Sequence, residues 1–594
     1  MMRTSTFPSC TGGPAGVSFL SRELRGVFSW FRPRLSFLLT AMAGLLNMYA
    51  VTFLSGFQVI QGDGKDALLN HYFLEHGYRW AFFRDYPFPL WSPPYYFPMA
   101  NALALSDNLL GVAPIYWLFR FFFPPQLSYQ LWLMALSLLS FAAMKWVLTR
   151  LGASRLPALA GGYLFAFGLG PQSQMAHPQL LGQFYAPLAL FFLFRHLHTP
   201  ASRWLALTAV FFLLQLIAGI YLGWFLMVGL ACFAAAALLT DAGLRCRFFA
   251  HLLRNGIQTG GILLGAVGVA LLFLGPYLQM SRQLSGGWTL DEIQAFLLPI
   301  QAWMLPNPQS LPHAAWMPAG LFPAVMERPH TMGLCAWMLA AGLGVHSIRP
   351  RSREGLPESV LFCRLCWMTF LLLVAVSVRW PGGFSAWTTL YRLIPGARAI
   401  RAMNRIWVVA HLFLISGGML AWSAILSTKS PRFLAWASAA FLVLMVLENT
   451  RAFQNHADPE PGWRRIEVLA ETLRGADAGY IVAAIGRNGA IELVEAMWAG
   501  LEAQVPVVNG LASRHPPGYP EHTLFMTVAE IQDWIGEIPI PLRLRVIRPY
   551  DSPFGDDWLT LTHPGIEAGV APGPPPYRFH TVYLPFDISE ALEP

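Results

Sequence analysis

The sequence predicts a polytopic α-helical membrane protein of about eleven transmembrane helices, closed by a small extracytoplasmic α/β domain at the C-terminus. Three observations carry that prediction. Only 12% of the residues are charged and 55% are hydrophobic, whereas soluble domains carry about 25% charged residues. Apolar runs of the roughly 17–25 residues that a bilayer requires recur along the chain, with short basic clusters between them. Polarity then rises abruptly after residue 448.

The runs fall at 36–56, 127–149, 156–172, 178–195, 204–220, 222–240, 257–278, 331–347, 360–378, 404–425 and 432–449. Arg22, Arg25, Arg32 and Arg34 precede the first run, so the positive-inside rule places residues 1–35 in the cytoplasm. The same rule assigns the clusters Lys145/Arg150/Arg155, Arg195/Arg203, Arg245/Arg247/Arg254, Arg349/Arg351/Arg353 and Lys429/Arg432 to that side. Residues 36–449 then form the transmembrane domain, and 57–126, 279–330, 379–403 and 450–594 lie outside. The stretch 109–123 is apolar enough to span, but counting it inverts the Lys145 cluster. Pro114, Arg120 and Pro124-Pro125 make it an interfacial or re-entrant helix instead. The first apolar run starts near Leu35, too far in for a cleavable signal peptide.

In 450–594 helices are expected near 463–474 and 491–503, with strands at 480–485, 542–547 and 577–584. Proline and glycine crowd the loops between them. The net charge of +8 is spread as topology signals rather than as a basic face, which argues against nucleic acid as a partner. The six cysteines are scattered, and Cys363-x-x-Cys366 opens an apolar run, so buried thiols are expected rather than a redox pair or disulfide framework.

Four constellations outside the membrane could carry chemistry. Gln61-Gly-Asp63-Gly-Lys-Asp66 follows the first run directly. Two carboxylates three residues apart share a face at helical spacing, where they can hold a cation or accept a proton. The plainer alternative is a glycine turn with Asp66 capping the next helix. Trp91, Tyr95 and their proline-rich surroundings could stack on sugar rings or form an interfacial aromatic belt, and Asp107 follows in Ser-Asp-Asn-Leu-Leu-Gly. Gln172, Gln174, His177 and Gln179 cluster between two runs; a lone histidine is more often structural. Arg401 and Arg405 stand outside, four apart, where helical spacing would align their guanidinium groups for phosphate. Anchoring to lipid head groups is the alternative.

This pattern resembles the GT-C superfamily of membrane glycosyltransferases, and within it a group of bacterial polytopic proteins. They share Pro-Tyr-Tyr-Phe-Pro…Ser-Asp-Asn-Leu-Leu-Gly (94–111), Ile-Pro-Gly…Ile-Arg-Ala-Met-Asn-Arg (394–405) and Val508-Asn509-Gly510…Pro516-Pro-Gly-Tyr519. The resemblance implies a GT-C-like transmembrane domain that moves a sugar from a polyprenyl phosphate or pyrophosphate donor to a glycan, lipid or protein acceptor on the outer face of a bacterial inner membrane. It implies Asp63 as general base with Asp66 second, Asp107 as a substrate or metal contact, and Arg401 and Arg405 on the carrier phosphate; Trp91, Tyr95 and His177 are further candidate substrate contacts from the make-up of their loops. The resemblance makes no cofactor certain. A divalent cation, Mg²⁺ or Mn²⁺, is left open at Asp63 and Asp66, because their Asp-x-x-Asp spacing departs from the family's tighter pair. Two other classes stand beside this one: a flippase or transporter of a lipid-linked glycan, which few intramembrane charges and no internal repeat support, and a catalytically inactive scaffold.

Overall fold

A computed structural model describes residues 34–62, 64–284, 287–305, 310–314, 333–348, 357–394, 396–451, 456–482, 489–520, 526–536, 542–549, 567–571 and 577–584. Its helices follow the apolar runs. Among the described residues seven helices are long and apolar enough to cross a bilayer: Pro125–Arg150, Pro178–His198, Ile220–Thr240, Ala242–Gln283, Glu358–Ser377, Met403–Leu426 and Pro431–Glu448. Arg34–Met48, Ser202–Ala218 and Leu334–Ser347 are shorter and equally apolar. The chain is an integral membrane protein. The run at 156–172 is a helix over Arg155–Phe167 that breaks at Gly168 and resumes as Leu169–Ser173. Within 109–123 lies only the eight-residue helix Ala113–Arg120, about 12 Å long at 1.5 Å per residue and too short to cross.

The bundle is built around Met403–Leu426, whose apolar window is 83% buried. Two glycines let its neighbours close on it. A Cβ at Gly417 would lie 2.7 Å from Cys366 Cβ, and one at Gly418 would lie 2.9 Å from Leu339 Cβ, so small residues here permit backbone-to-backbone packing. Ala242–Gln283 is the opposite case. None of its apolar window is buried, and Ile257, Leu264 and Leu272 stand open, as expected of a helix whose solvent is lipid.

The C-terminal elements form a four-stranded mixed sheet in the order Ala478–Ile481, Leu542–Pro549, Tyr577–Leu584, Glu567–Ala571. The first pair is parallel and the others antiparallel. Helices Glu460–Leu473 and Gly489–Ala503 pack beside it. Two motifs distant in sequence meet here. Tyr96 and Phe97 donate their backbone N–H groups to the carbonyls of Asn509 (3.1 Å) and Val507 (3.0 Å). The Asn509 side chain clamps the Ile481 backbone through two 2.7 Å bonds. A side chain at Gly510 would strike the Tyr96 ring at 2.5 Å.

A buried charge cluster fastens this unit to the first-loop helix Lys65–Phe82. Glu75, fully buried, accepts from Arg79 Nε (3.1 Å), Arg120 Nε (3.0 Å) and Tyr116 Oη (2.7 Å). Arg79 also donates to the Leu501 carbonyl at 2.9 Å and pairs with Glu502. Burial pushes the Glu75 carboxyl up, but Arg79 and Arg120 outweigh it and hold it below its ordinary range. Trp498 Nε1 adds a bond to the Leu68 carbonyl at 3.0 Å. Glu75→Ala would leave two guanidinium groups without their shared buried carboxylate, at a cost of about 3–5 kcal/mol. Thermal unfolding in detergent should show a clearly lowered midpoint, and an unchanged midpoint would refute the cluster's role.

Candidate active site

Segments around residues 66, 107, 177 and 405 converge at the end of the bundle that carries the C-terminal unit. Gly62 and Gly64 take φ of 128° and 78°, backbone that glycine adopts without steric penalty. They turn the chain from Ile60–Gln61 into the helix Lys65–Phe82. Gly64 is the N-cap, so Asp66 sits in the first turn and does not cap the helix. It meets His177 instead: Oδ2 lies 2.7 Å from His177 Nδ1, while Lys65 Nζ is 3.7 Å from Oδ1. One turn on, Asn70 Nδ2 donates to Gln179 Oε1 at 3.2 Å, locking the 172–180 loop against this helix.

Asp107 lies across the site, where its Oδ1 accepts the backbone N–H of Ile220 at 2.8 Å. That donor is the first residue of the helix Ile220–Thr240. The charge of Arg405 acts on both carboxylates and lowers the pKa of both. Arg405 is 9% exposed, with its guanidinium 5.3 Å from the Tyr221 ring centre. The two acids are tuned apart. Burial raises Asp66, but the His177 hydrogen bond and the charges of His177, Lys65 and Arg405 bring it below its ordinary range. Burial raises Asp107 too, and there the Ile220 N–H and Arg405 do not compensate. Paired carboxyls with divergent pKa values are a common basis for separate acid–base roles.

Arg401 leaves Arg405 for a different wall. The chain is irregular through Ala402 and enters a 3-10 turn at Met403–Ile406, so the two arginines do not share a helical face as their spacing suggested. The Arg401 N–H donates to Tyr221 Oη at 3.3 Å, and its guanidinium lies 4.4 Å from the Trp288 ring centre. Trp288 is pinned by its backbone: its N–H donates to Arg398 O (2.8 Å) and its carbonyl accepts from Tyr391 Oη (2.6 Å). Arg514, from the C-terminal unit, approaches the same indole at 5.2 Å.

The structure thus brings Asp66, His177, Asp107 and Arg405 together, with Arg401 alongside. Asp63 lies outside the described residues. Tyr95 belongs to the core, 1% exposed, with its hydroxyl given to the Ala102 carbonyl at 3.0 Å, so its ring is not open for stacking. Trp91 packs edge-on to Tyr277, whose hydroxyl donates to Ser106 O at 2.9 Å and so fixes the loop that carries Asp107. Tyr221, Trp288 and Arg514 were not singled out from sequence. The Thr289-x-x-Glu292 capping box beside Trp288 was a readable mark of an ordered turn there; Arg514 had no local signal. Among the described residues no three His, Cys, Asp or Glu side chains group as a metal cage.

No family model and no curated protein matches the sequence. Among solved structures the fold is similar to the apo oligosaccharyltransferase of Archaeoglobus fulgidus, at 11% identity over 88% of this chain and 70% of that one, with TM-score 0.45. It is also similar to the arabinofuranosyltransferase AftD from Mycobacteria, at 16% identity over 92% of this chain, with TM-score 0.49. The chain spans only 41% of the length of that AftD chain. ArnT from Cupriavidus metallidurans is similar at 12% identity over 94% and 98% of the two chains, with TM-score 0.39. At these scores the likenesses carry no argument about chemistry, which rests on the site.

The two acids predict opposite pH signatures. Asp66, lowered in the folded state, contributes stability above its unfolded pKa of about 3.9 that is lost as pH falls through its folded pKa. Asp107, raised in the folded state, contributes stability below its unfolded pKa that is lost as pH rises through its folded pKa. Thermal midpoints measured across acid pH should therefore fall less steeply on acidification in Asp66→Asn. In Asp107→Asn the loss of stability on raising the pH should flatten. Profiles parallel to wild type would contradict both assignments.

Proposed function

We propose that this protein transfers a sugar from a polyprenyl-phosphate-linked donor to a hydroxyl acceptor at the outer face of the membrane. The observation that carries the reading is the position of Arg405. A buried guanidinium over the Tyr221 ring, whose charge acts on both Asp66 and Asp107, offers a phosphate anchor beside acid–base groups. The resemblance of the acidic first loop and of the 394–405 stretch to GT-C enzymes supports the same chemistry.

In the proposed reaction the donor's lipid tail lies in the bilayer and its phosphate meets Arg405. The base belongs to the acidic head of the first outer loop, shared between Asp63, assigned from sequence, and Asp66. His177 orients the Asp66 carboxylate through its 2.7 Å contact to Oδ2, while Lys65 lies 3.7 Å from Oδ1. The carboxylate takes the acceptor hydroxyl's proton as the oxygen attacks the anomeric carbon. The bond from that carbon to the phosphate oxygen breaks on the opposite side, and its electron pair leaves with the phosphate. Configuration inverts. Asp107 contacts the substrate across the cleft, on a loop fixed by Tyr277, against which Trp91 packs.

A general base contributes about 10²–10⁴-fold. Asp63→Asn and Asp66→Asn, assayed in nanodiscs with a panel of polyprenyl-linked sugars, should lower transfer by that order in at least one variant while donor binding persists. Arg405→Gln should instead weaken donor binding. Undiminished transfer in both aspartate variants, at normal expression, would refute the base assignment.

A further inference from the structure

The helix Ala242–Gln283 is about 63 Å long at 1.5 Å per residue, against about 40–45 Å for a bilayer with its head groups. The surplus lies at its start. Asn255 leaves helical geometry (φ −124°, ψ 27°) and divides the element into a first part, 242–254, and the apolar span that follows. Both ends of this first part sit at the end of the bundle opposite the candidate site. The helices Ile220–Thr240 and Pro178–His198 start at Asp107 and beside His177, so Thr240 and His198 mark that far end. Asp241 caps the new helix there by accepting the Leu244 N–H at 2.9 Å. Further along, His251 meets the His196 ring at 5.5 Å, and Phe248 meets the same ring at 6.0 Å. The stretch from 241 to 251 is about 15 Å long, yet His196 is still close to the end of its own helix. The first part therefore runs along the rim of the bundle and turns up into the span only at Asn255.

Its faces are sharply divided. Leu244, Phe248 and His251 recur at helical spacing and turn toward the bundle, Leu244 fully buried and the other two half-buried. The opposite strip is apolar and open: Phe249 is 50% and Leu253 87% exposed, and Ile257 continues it past the kink. Arg245 borders this strip on one side, Arg247 and Arg254 on the other, and all three are exposed. No Asp or Glu occurs from 242 to 283, and Asp241 is committed to the cap. Arginines over tryptophans, Arg150 on Trp146 at 5.4 Å and Arg203 on Trp204 at 4.5 Å, mark the same end as the boundary between acyl chains and head groups. At that level an apolar strip edged by arginines fits a lipid interface: water would leave Leu253 uncovered, and the hydrocarbon interior would strand the guanidinium groups.

We propose that residues 242–254 form a binding surface for anionic phospholipid in the leaflet opposite the candidate site. Phe249 and Leu253 lie among the acyl chains, and Arg245, Arg247 and Arg254 meet the net-negative head groups. Charge complementarity selects the lipid, since a strip with three arginines and no carboxylate gains little from a zwitterionic surface. The surface tethers one end of a helix that is otherwise open to lipid. The other end is tied to the first outer loop, where Tyr277 donates to the Ser106 carbonyl and Asn101 donates to Gln279 Oε1 at 3.1 Å. The proposal does not depend on the glycosyl-transfer reading.

Cys246 is exposed on the same strip, whereas Cys335, Cys363 and Cys366 are buried, so it can carry a nitroxide in full-length protein bearing Cys10→Ser and Cys232→Ala. In nanodiscs containing phosphatidylglycerol, collisions with oxygen and with a water-soluble nickel chelate should place the nitroxide at the head-group boundary. A nitroxide more open to nickel than to oxygen would overturn the proposal by turning the strip to water. Dipolar broadening between labels would overturn it in favour of a second copy of the chain. In the unlabelled protein, spin-labelled phosphatidylglycerol should associate about fivefold more strongly than spin-labelled phosphatidylcholine, the contribution of about one arginine at a charged surface. Arg245→Gln, Arg247→Gln and Arg254→Gln together should abolish that preference, and the three lysine substitutions at the same positions should keep it. Equal association of the two lipids with wild type, a preference that survives the glutamine set, or one that is lost in the lysine set would each overturn the anionic assignment.

Discussion

The buried carboxylate of Glu75 is the constraint on which the rest of the arrangement depends. A charge without solvent around it must be met by opposite charge and hydrogen bonds, and here the partners come from three places. Arg79 lies one turn along the same helix, Arg120 and Tyr116 come from the short helix Ala113–Arg120, and Arg79 continues to Glu502 and the Leu501 carbonyl in the C-terminal unit. No one partner can move without stranding another. Because Glu75 and Asp66 ride on one rigid helix, fixing the first also fixes the second. The C-terminal unit thereby helps to set the position of that carboxylate.

The aromatic loop serves the same end. Its tyrosines and prolines invited a sugar-stacking reading, yet Tyr95 and Tyr96 are buried, and the loop's backbone pairs with residues 507–509. Its shape follows from that pairing. Proline lacks an N–H, so Pro94 offers the sheet-like contact its carbonyl alone, which Val507 N–H takes at 3.2 Å. Two stretches that look like separate motifs in the sequence are the two sides of one joint, and Gly510 is small because the Tyr96 ring occupies the space its side chain would need.

What the sequence made legible divides along physical lines. Apolar length is a local property, so the membrane runs reappear as helices within a few residues, save 257–278, whose helix begins at Ala242 and runs through the basic cluster with a kink at Asn255. Convergence is not local. Nothing near Asp66 announces His177, more than a hundred positions on, and nothing near Arg514 announces Trp288. The periodicity argument failed at Arg401 and Arg405 for an identifiable reason: it assumed that the helix begins before Arg401, whereas regular helix begins at Trp407 and irregular backbone sends the two side chains to different rings. Strand Glu567–Ala571 and helix Val528–Ile535 were missed because both are short and lie among loops.

The electrostatics of the site follow from how its carboxylates are distributed. Asp66 is held ionised by His177, Lys65 and Arg405, and so remains negative wherever the protein is folded near neutral pH. Asp107 is pulled toward neutrality by burial, even with a helix N-terminus and Arg405 in its favour. Arg405 is thus only partly neutralised when Asp107 holds a proton, and more fully when it does not. An anion arriving beside Arg405 would penalise ionisation of Asp107 further, since a second negative charge at short range costs more in a poorly solvated cleft than in water. Donor binding and proton uptake by Asp107 are therefore coupled in the proposed reaction.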